Sequence, residues 1–315
     1  MKLLVNSHAA HAYTGGKDFD ASLPCVVFIH GALHDHSAWT LLARWCAHHG
    51  HSVLALDLPG HGGSLHAPLG DVAHLADWLL ALLDAAGVRR ATLVGHSMGS
   101  LIALEATARD AAKNPGRIAG LVMMATAYPM KVADALRATA LSEPLRAIDM
   151  VNAWSFSTYA AKPSFPGPGM SLHGSNRALM RRMQAAASAL DSQANVALPL
   201  CLTPGGGNVE DMTSGGSKLN LFHHEFSVCN GYANGLVAAA QRRCPVHFIL
   251  GAQDQMTPTR ATRELAAALQ ATVLTIDAGH NLVAEAPDAV LAALRQALRA
   301  SAPHQVDADS VPSLK

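Results

Sequence analysis

The feature that most limits how this chain can fold is Gly95-His96-Ser97-Met98-Gly99, set between the apolar run Ala91-Thr92-Leu93-Val94 and the helix-period stretch 100–108, which carries Leu101, Ile102, Leu104 and Glu105. A strand that turns directly into a helix forces the residue at its apex into strained backbone, and glycines on either side remove the Cβ atoms that would collide. The serine then stands at the carboxyl end of a strand. The free N–H groups and positive end of the following helix point at the same place and favour negative charge on a nearby oxygen. Such a motif predicts a chain in which strands and helices alternate.

The alternation is legible on both sides of it. Residues 24–30, 51–58, 91–94 and 118–125 are short, continuously apolar runs, as expected of strands covered on both faces. Between them, Val72, Leu75, Ala76, Leu79, Leu82, Leu83 and Ala86 recur with the 3.6-residue period, and Gly87 follows as a stop. The pattern returns near the end with a strand at 245–250, a helix at 258–269, a strand at 272–276 and a helix at 282–300. Thr257 before Pro258 fits an N-cap with proline in the first turn. Weaker strands at 2–5 and 10–13 predict a two-stranded edge closed by Thr14-Gly15-Gly16. The expectation is an α/β fold whose core is built from residues 1–127 and 242–315. Residues 128–241 lack the alternation. They hold a helix-prone stretch at 176–190, but also 163–169 and 203–218, too rich in Gly and Pro for regular structure. An insertion of helices and long loops between two sheet-forming halves is expected to form a lid.

A serine hydroxyl needs a base to take its proton and an acid to orient that base. His280, in Asp277-Ala278-Gly279-His280-Asn281, follows the strand 272–276 and so lies at the same carboxyl edge as Ser97. Asp254 follows the strand 245–250, again at that edge, where ligand sites of open α/β sheets are found. The rival acids are Asp277, at the strand itself, and Glu285, in the next helix. His30-Gly31-Ala32-Leu33 ends the first strongly apolar strand. The expected oxyanion donors are the backbone N–H groups of Ala32 and Met98. His30 is expected to hold this loop by a hydrogen bond. His96 is expected to point away from Ser97 and pack.

Bulk properties narrow the partners. Lys plus Arg and Asp plus Glu both number 23, with no block of like charge, so nucleic acid is not an expected partner. No run of about 20 apolar residues suggests a membrane span, and the apolar start is short for a signal peptide, so a cytoplasmic location is expected. Five cysteines, Cys25, Cys46, Cys201, Cys229 and Cys244, contain no Cys-x-x-Cys pair and read as buried thiols. His34-Asp35-His36 and His48-His49-Gly50-His51 do not set ligands on one helix face, so no metal is expected. Oligomeric state is not legible.

Taken together, His30-Gly31, Asp57-Leu58-Pro59-Gly60-His61-Gly62-Gly63-Ser64, the turn at Ser97, Gly251 to Asp254 and Gly279-His280 resemble the α/β-hydrolase superfamily over nearly the whole chain. The resemblance is greatest to bacterial lid-bearing esterases and carbon-carbon bond hydrolases. It implies an eight-stranded, mostly parallel sheet, a helical lid between strands 6 and 7, a triad of Ser97, Asp254 and His280, and no cofactor. It also implies a structural role for 57–64. The run 203–218 is longer than a compact lid calls for. The expected activity is acyl-enzyme hydrolysis of a small to medium hydrophobic ester. The same constellation serves thioesters, lactones, carbon-carbon bonds and perhydrolysis, and a non-catalytic receptor for a small ligand is the alternative of another class. An aspartate nucleophile, as in dehalogenases and epoxide hydrolases, is absent at Ser97. Trp154, Phe156, Tyr159, Phe165, Phe222 and Phe226 are expected in the lid core or at the substrate, with Leu33, His96, Trp154 and Phe222 as the expected substrate contacts.

Overall fold

The computed structural model describes residues 1–157, 171–194 and 219–302. Tyr159, Phe165, Cys201 and the run 203–218 lie outside the described residues. The apolar runs become strands β3 (Cys25–Ile29), β4 (Ser52–Leu56), β5 (Ala91–His96), β6 (Ile118–Met124), β7 (Val246–Gly251) and β8 (Thr272–Ile276), preceded by β1 (Lys2–Val5) and β2 (His8–Tyr13). They form one eight-stranded sheet in the order β1-β2-β4-β3-β5-β6-β7-β8. The pairings among β3 to β8 are all parallel, and those of β2 with β1 and with β4 are antiparallel. The strands from both ends of the chain therefore meet, with β6 paired to β7 across the intervening segment.

Alternate side chains of each central strand feed opposite faces. Cys25, Val27 and Ile29 of β3 join the core under α2 (Val72–Ala85) and α3 (Met98–Lys113), whereas Val26 and Phe28 join the other, under α1 (Thr40–Ala47) and the last helix. That double cover explains why β3, β4 and β5 are buried at every position.

Between β6 and β7 lie α4 (Asp134–Ser142), α5 (Pro144–Trp154), α6 (Leu172–Ala194), α7 (Leu221–Gly231) and α8 (Gly235–Gln241). Helices α4 to α7 have their own core, which includes Ile148, Met180, Met183, Phe222 and Phe226 and takes in Leu33 from the sheet side. The sequence-based segment 128–241 includes α8, yet Ala238 and Ala239 of α8 pack in the sheet-side core with α3. After β7 come α9 (Arg263–Ala268), α10 (Leu282–Glu285) and α11 (Pro287–Ala300).

Three local expectations change. The N-terminal hairpin turns at Asn6-Ser7, both at positive φ (49° and 68°), not at 14–16, which instead leave β2 on the way to β3. A two-residue turn with both φ positive matches the twist of paired strands. The helix expected at 282–300 is two, because Pro287 disfavours helical backbone at Ala286. Thr257 does not cap with its side chain; that hydroxyl is used elsewhere. Among the described residues no helix is long and apolar enough to cross a membrane.

Candidate active site

Ser97 sits at the junction of β5 and α3 with φ 52° and ψ −120°, the left-handed strain that the motif predicts. Its neighbours make that backbone feasible. A Cβ on Gly95 would strike the Gly99 carbonyl, and one on Gly99 would strike the carbonyls of Ile29 and His30. The turn is pinned by Ser97 N–H donating to the Met124 carbonyl (2.9 Å) and by Ser100 Oγ donating to the Ser97 carbonyl (2.6 Å).

His280 and Asp254 meet at the ends of β8 and β7. His280 Nδ1 lies 2.9 Å from Asp254 Oδ2, and since a carboxylate only accepts, the imidazole carries its proton on Nδ1. Asp254 is buried, with Oδ1 accepting the N–H groups of Met256 and Thr257 (2.8 Å each) and Oδ2 the Thr257 hydroxyl (2.7 Å). Burial alone would raise its pKa, but the facing His280 and these donors hold the carboxyl well below the usual range. The two rivals are engaged elsewhere. Asp277 is exposed and accepts from Gln253 Nε2 (2.7 Å), while Glu285 accepts the Gly279 N–H (3.0 Å) and the Ser157 hydroxyl (2.5 Å). Glu285 thus braces the loop leading into His280.

Ser97, His280 and Ala32 all line one cavity of about 210 Å³, together with Met130, Val132, Leu136, Trp154, Phe226, Cys229 and Met256. Lys131 and Gln255 add polar ends. A smaller cavity of about 40 Å³ shares Ala32, Ser97 and His280 and adds His34, His96 and Phe222. Ser97 and His280 share no hydrogen bond here; nucleophile and base are often loosely aligned without substrate. Met98, the first residue of α3, turns its N–H to the end where helices leave such groups free, while its side chain is buried away from the larger cavity.

The four expected substrate contacts divide. Trp154 and Phe222 line the two cavities. His96 lines the smaller one, but it does more than pack. Its Nε2 donates to the His280 carbonyl (2.9 Å) and its ring lies 4.9 Å from the His280 ring. Burial first, then His280, push its pKa down to about 3, so it is neutral. Leu33 lines neither cavity. It is fully buried at φ 54° in the core of the inserted helices, because the chain turns there and its side chain packs under them.

The loop from Gly31 to Leu33 is held from two sides. His30 accepts the Leu58 N–H at Nε2 (3.1 Å), so its protonated Nδ1 donates to the Gly31 carbonyl (2.8 Å). The Leu33 N–H donates to Glu225 Oε2 on α7 (2.8 Å). Glu225 is buried, and its Oε1 lies 3.0 Å from His61 Nε2, an ion pair without hydrogen-bond alignment. Glu225 and His61 were not singled out as site residues by the sequence. The available signal was a lone carboxylate between Phe222 and Phe226 in an apolar helix.

His11, His36 and Asp57 bring three donor atoms within 4.8 Å of one another, from β2, the turn after β3 and the end of β4. Each Nδ1 meets the Asp57 carboxylate (2.8 and 2.7 Å), which also accepts the N–H groups of His36 and Gly63. The carboxylate's acceptor sites are thus filled by four donors, which fixes the turn 57–64.

The alpha/beta hydrolase fold family model matches residues 24–287. Over 103 residues the chain is 39% identical to the dihydrolipoyllysine-residue acetyltransferase component of the acetoin cleaving system of Pseudomonas putida, a stretch covering 32% of this chain and 26% of that relative. The chain therefore aligns with only about a quarter of that relative's length. Among solved structures, the enol-lactonase from Burkholderia xenovorans LB400 superposes with TM-score 0.71 at 20% identity, covering 95% of this chain and 100% of that one. An esterase from Exiguobacterium antarcticum gives 0.70 at 13% identity, covering 95% and 99%.

Proposed function

The chain belongs to the alpha/beta hydrolase fold family, and on that premise we propose that it is a serine hydrolase that cleaves a small to medium hydrophobic carboxylic ester through an acyl-enzyme. The observation that carries this reading is Ser97 at a strained strand-to-helix turn, lining one cavity with a histidine whose far nitrogen is held by a buried carboxylate.

In this mechanism His280 Nε2 takes the Ser97 proton as Oγ forms a bond to the substrate carbonyl carbon. The carbonyl oxygen becomes an oxyanion facing the N–H groups of Ala32 and Met98. His280 then gives the proton to the departing alkoxide as the ester C–O bond breaks. A water molecule, deprotonated by the same imidazole, attacks the acyl-enzyme, and the carboxylate product leaves with Ser97 regenerated. Asp254 keeps the Nδ1–H tautomer and stabilises the imidazolium. Helices α4 to α7 act as the lid, and their side chains Leu136, Trp154 and Phe226 give the larger cavity an apolar character suited to the acyl or aryl part. The esterase and lactonase named above are compatible with the bond type.

The test is a panel of p-nitrophenyl esters of graded acyl length, with thioesters and lactones alongside. Wild type is expected to turn over the shorter esters, and Ser97→Ala to fall by about 10⁶ in kcat, the scale for losing a triad serine. Equal rates for wild type and Ser97→Ala would sink the proposal.

A further inference from the structure

We propose that Glu225, on α7 of the inserted segment, is a positioning residue for the oxyanion site, holding the loop that carries the Ala32 N–H. This rests on the serine-hydrolase reading above and extends it to a residue that touches neither cavity.

The argument begins with the loop's own conformation. Ala32 sits between Gly31 and Leu33, and Leu33 has φ 54°, a region costly for a branched side chain. A strained backbone persists only when its surroundings over-determine it. His34 holds the Ala32 carbonyl through Nδ1 (2.7 Å), and two further contacts fix the residues on either side. On the near side, His30 Nδ1–H fixes the Gly31 carbonyl at 2.8 Å. On the far side, the Leu33 N–H donates to Glu225 Oε2 at 2.8 Å, a bond spanning 192 residues of sequence. Ala32 lies between these anchors, so its N–H direction is set by both.

Glu225 is itself fixed. It is only 3% exposed. Burial would raise its pKa, but His61, the Leu33 N–H and His30 together outweigh this and keep it lowered, so the carboxylate is charged and accepts strongly. His61, between the Pro59 carbonyl (3.2 Å) and Glu225 Oε1 (3.0 Å), has an acceptor at each ring nitrogen. Its ring lies 4.8 Å from that of His30, so His61 stands between the two anchors of the loop. The consequence is a coupling: one of the contacts that shape the oxyanion loop exists only while α7 is seated on the sheet. Seating of the inserted helices thereby completes the catalytic geometry as well as covering the site.

Glu225→Gln keeps an oxygen that can accept from Leu33. Glu225→Met keeps length and volume but removes the acceptor. Kinetics on p-nitrophenyl butyrate should show the Met variant lowered in kcat by about 10- to 100-fold, part of the 10² to 10³ that one oxyanion donor is worth, with KM within about twofold. The Gln variant should stay within about fivefold of wild type, because its amide oxygen replaces the acceptor. In parallel, the Leu33 amide proton should lie downfield and exchange slowly in wild type and Gln, and move upfield and exchange faster in Met. Unchanged kcat in the Met variant, a rise in KM alone, or equal losses in Met and Gln would overturn the proposal. So would an unmoved Leu33 amide, which tests the anchor whatever the turnover. A wild type that hydrolyses no ester defeats the serine-hydrolase reading, and the Leu33 amide then still reports whether Glu225 holds the loop.

Discussion

His280 with Asp254 and His61 with Glu225 are the same two chemical groups at nearly the same separation, 2.9 and 3.0 Å. The first pair joins the loops after β7 and β8. The second joins the loop after β4 to α7, across the boundary between sheet and insertion. What separates them is the use of the second ring nitrogen. His280 commits Nδ1 to Asp254 and, among the described residues, leaves Nε2 without a partner on a cavity-lining residue, as the proposed proton transfer requires. His61 has an acceptor at both nitrogens and is almost wholly buried, which suits a fixed charge rather than a shuttle. A histidine beside a carboxylate is thus not enough to mark a catalytic base; an unspent nitrogen facing a cavity is the discriminating feature.

The sharpest break between the pairs is expected from Asp254→Asn. It removes the charge and tautomer control from the first pair and should lower kcat by about 10⁴, with some loss of melting temperature, because a carboxyl whose pKa is lowered on folding stabilises the fold through its charge. Stopped-flow or steady-state ester kinetics beside a thermal melt measures both. Full activity in this variant would transfer the orienting role to another acid.

The second pair should respond the other way. Removing one partner of a buried ion pair leaves the other charge stranded, so His61→Leu should cost stability on the order of 3–5 kcal/mol, read by urea unfolding. Its loss of activity should be smaller than that of Asp254→Asn. If His61→Leu were as stable as wild type, the pair would not be what seats α7.

The pH dependence sharpens this contrast. Burial disfavours charge on His61, but Glu225, the Pro59 carbonyl and Asp57 together outweigh it and raise the folded-state pKa above the ordinary value of about 6.5. A raised pKa contributes stability fully present below about 6.5 and lost as pH climbs through the folded value. The stability gap between wild type and His61→Gln should therefore be wider near pH 6 than near pH 9. A gap that widened with pH would reverse the assigned sign.

The sheet and the strand-end residues were legible because their signals are local. Continuous apolar runs, a period of 3.6 and a serine between glycines each sit within a few residues, and β3 to β8 fall where those runs predict. The hairpin turn is harder to place because Asn6-Ser7 is a weaker turn signal than Gly15-Gly16, and the last helix divides at Pro287 although its apolar period continues on both sides. Leu33 is expected at the substrate, yet positive φ turns it into the inserted helices' core. Glu225 was missed for another reason. Its partners are 164 and 192 positions away (225 − 61 and 225 − 33), and no spacing rule links residues that meet only after the insertion folds back.

The smallest effect should come from Thr257, expected as a helix cap and found instead donating to Asp254 Oδ2 at 2.7 Å, 3.1 Å from His280 Nδ1. Thr257→Val keeps the shape and removes the hydroxyl. Asp254 retains His280 and two backbone N–H groups, so it stays charged and in place. A hydrogen bond to a charged acceptor contributes about 1.5–3 kcal/mol, and here only the share felt in the transition state appears in the rate. The expected loss in kcat is about tenfold or less, with KM unchanged. A loss as large as that of Asp254→Asn would mean that the hydroxyl, not the backbone, fixes the carboxylate, and the first pair would be less preorganised than its four donors imply.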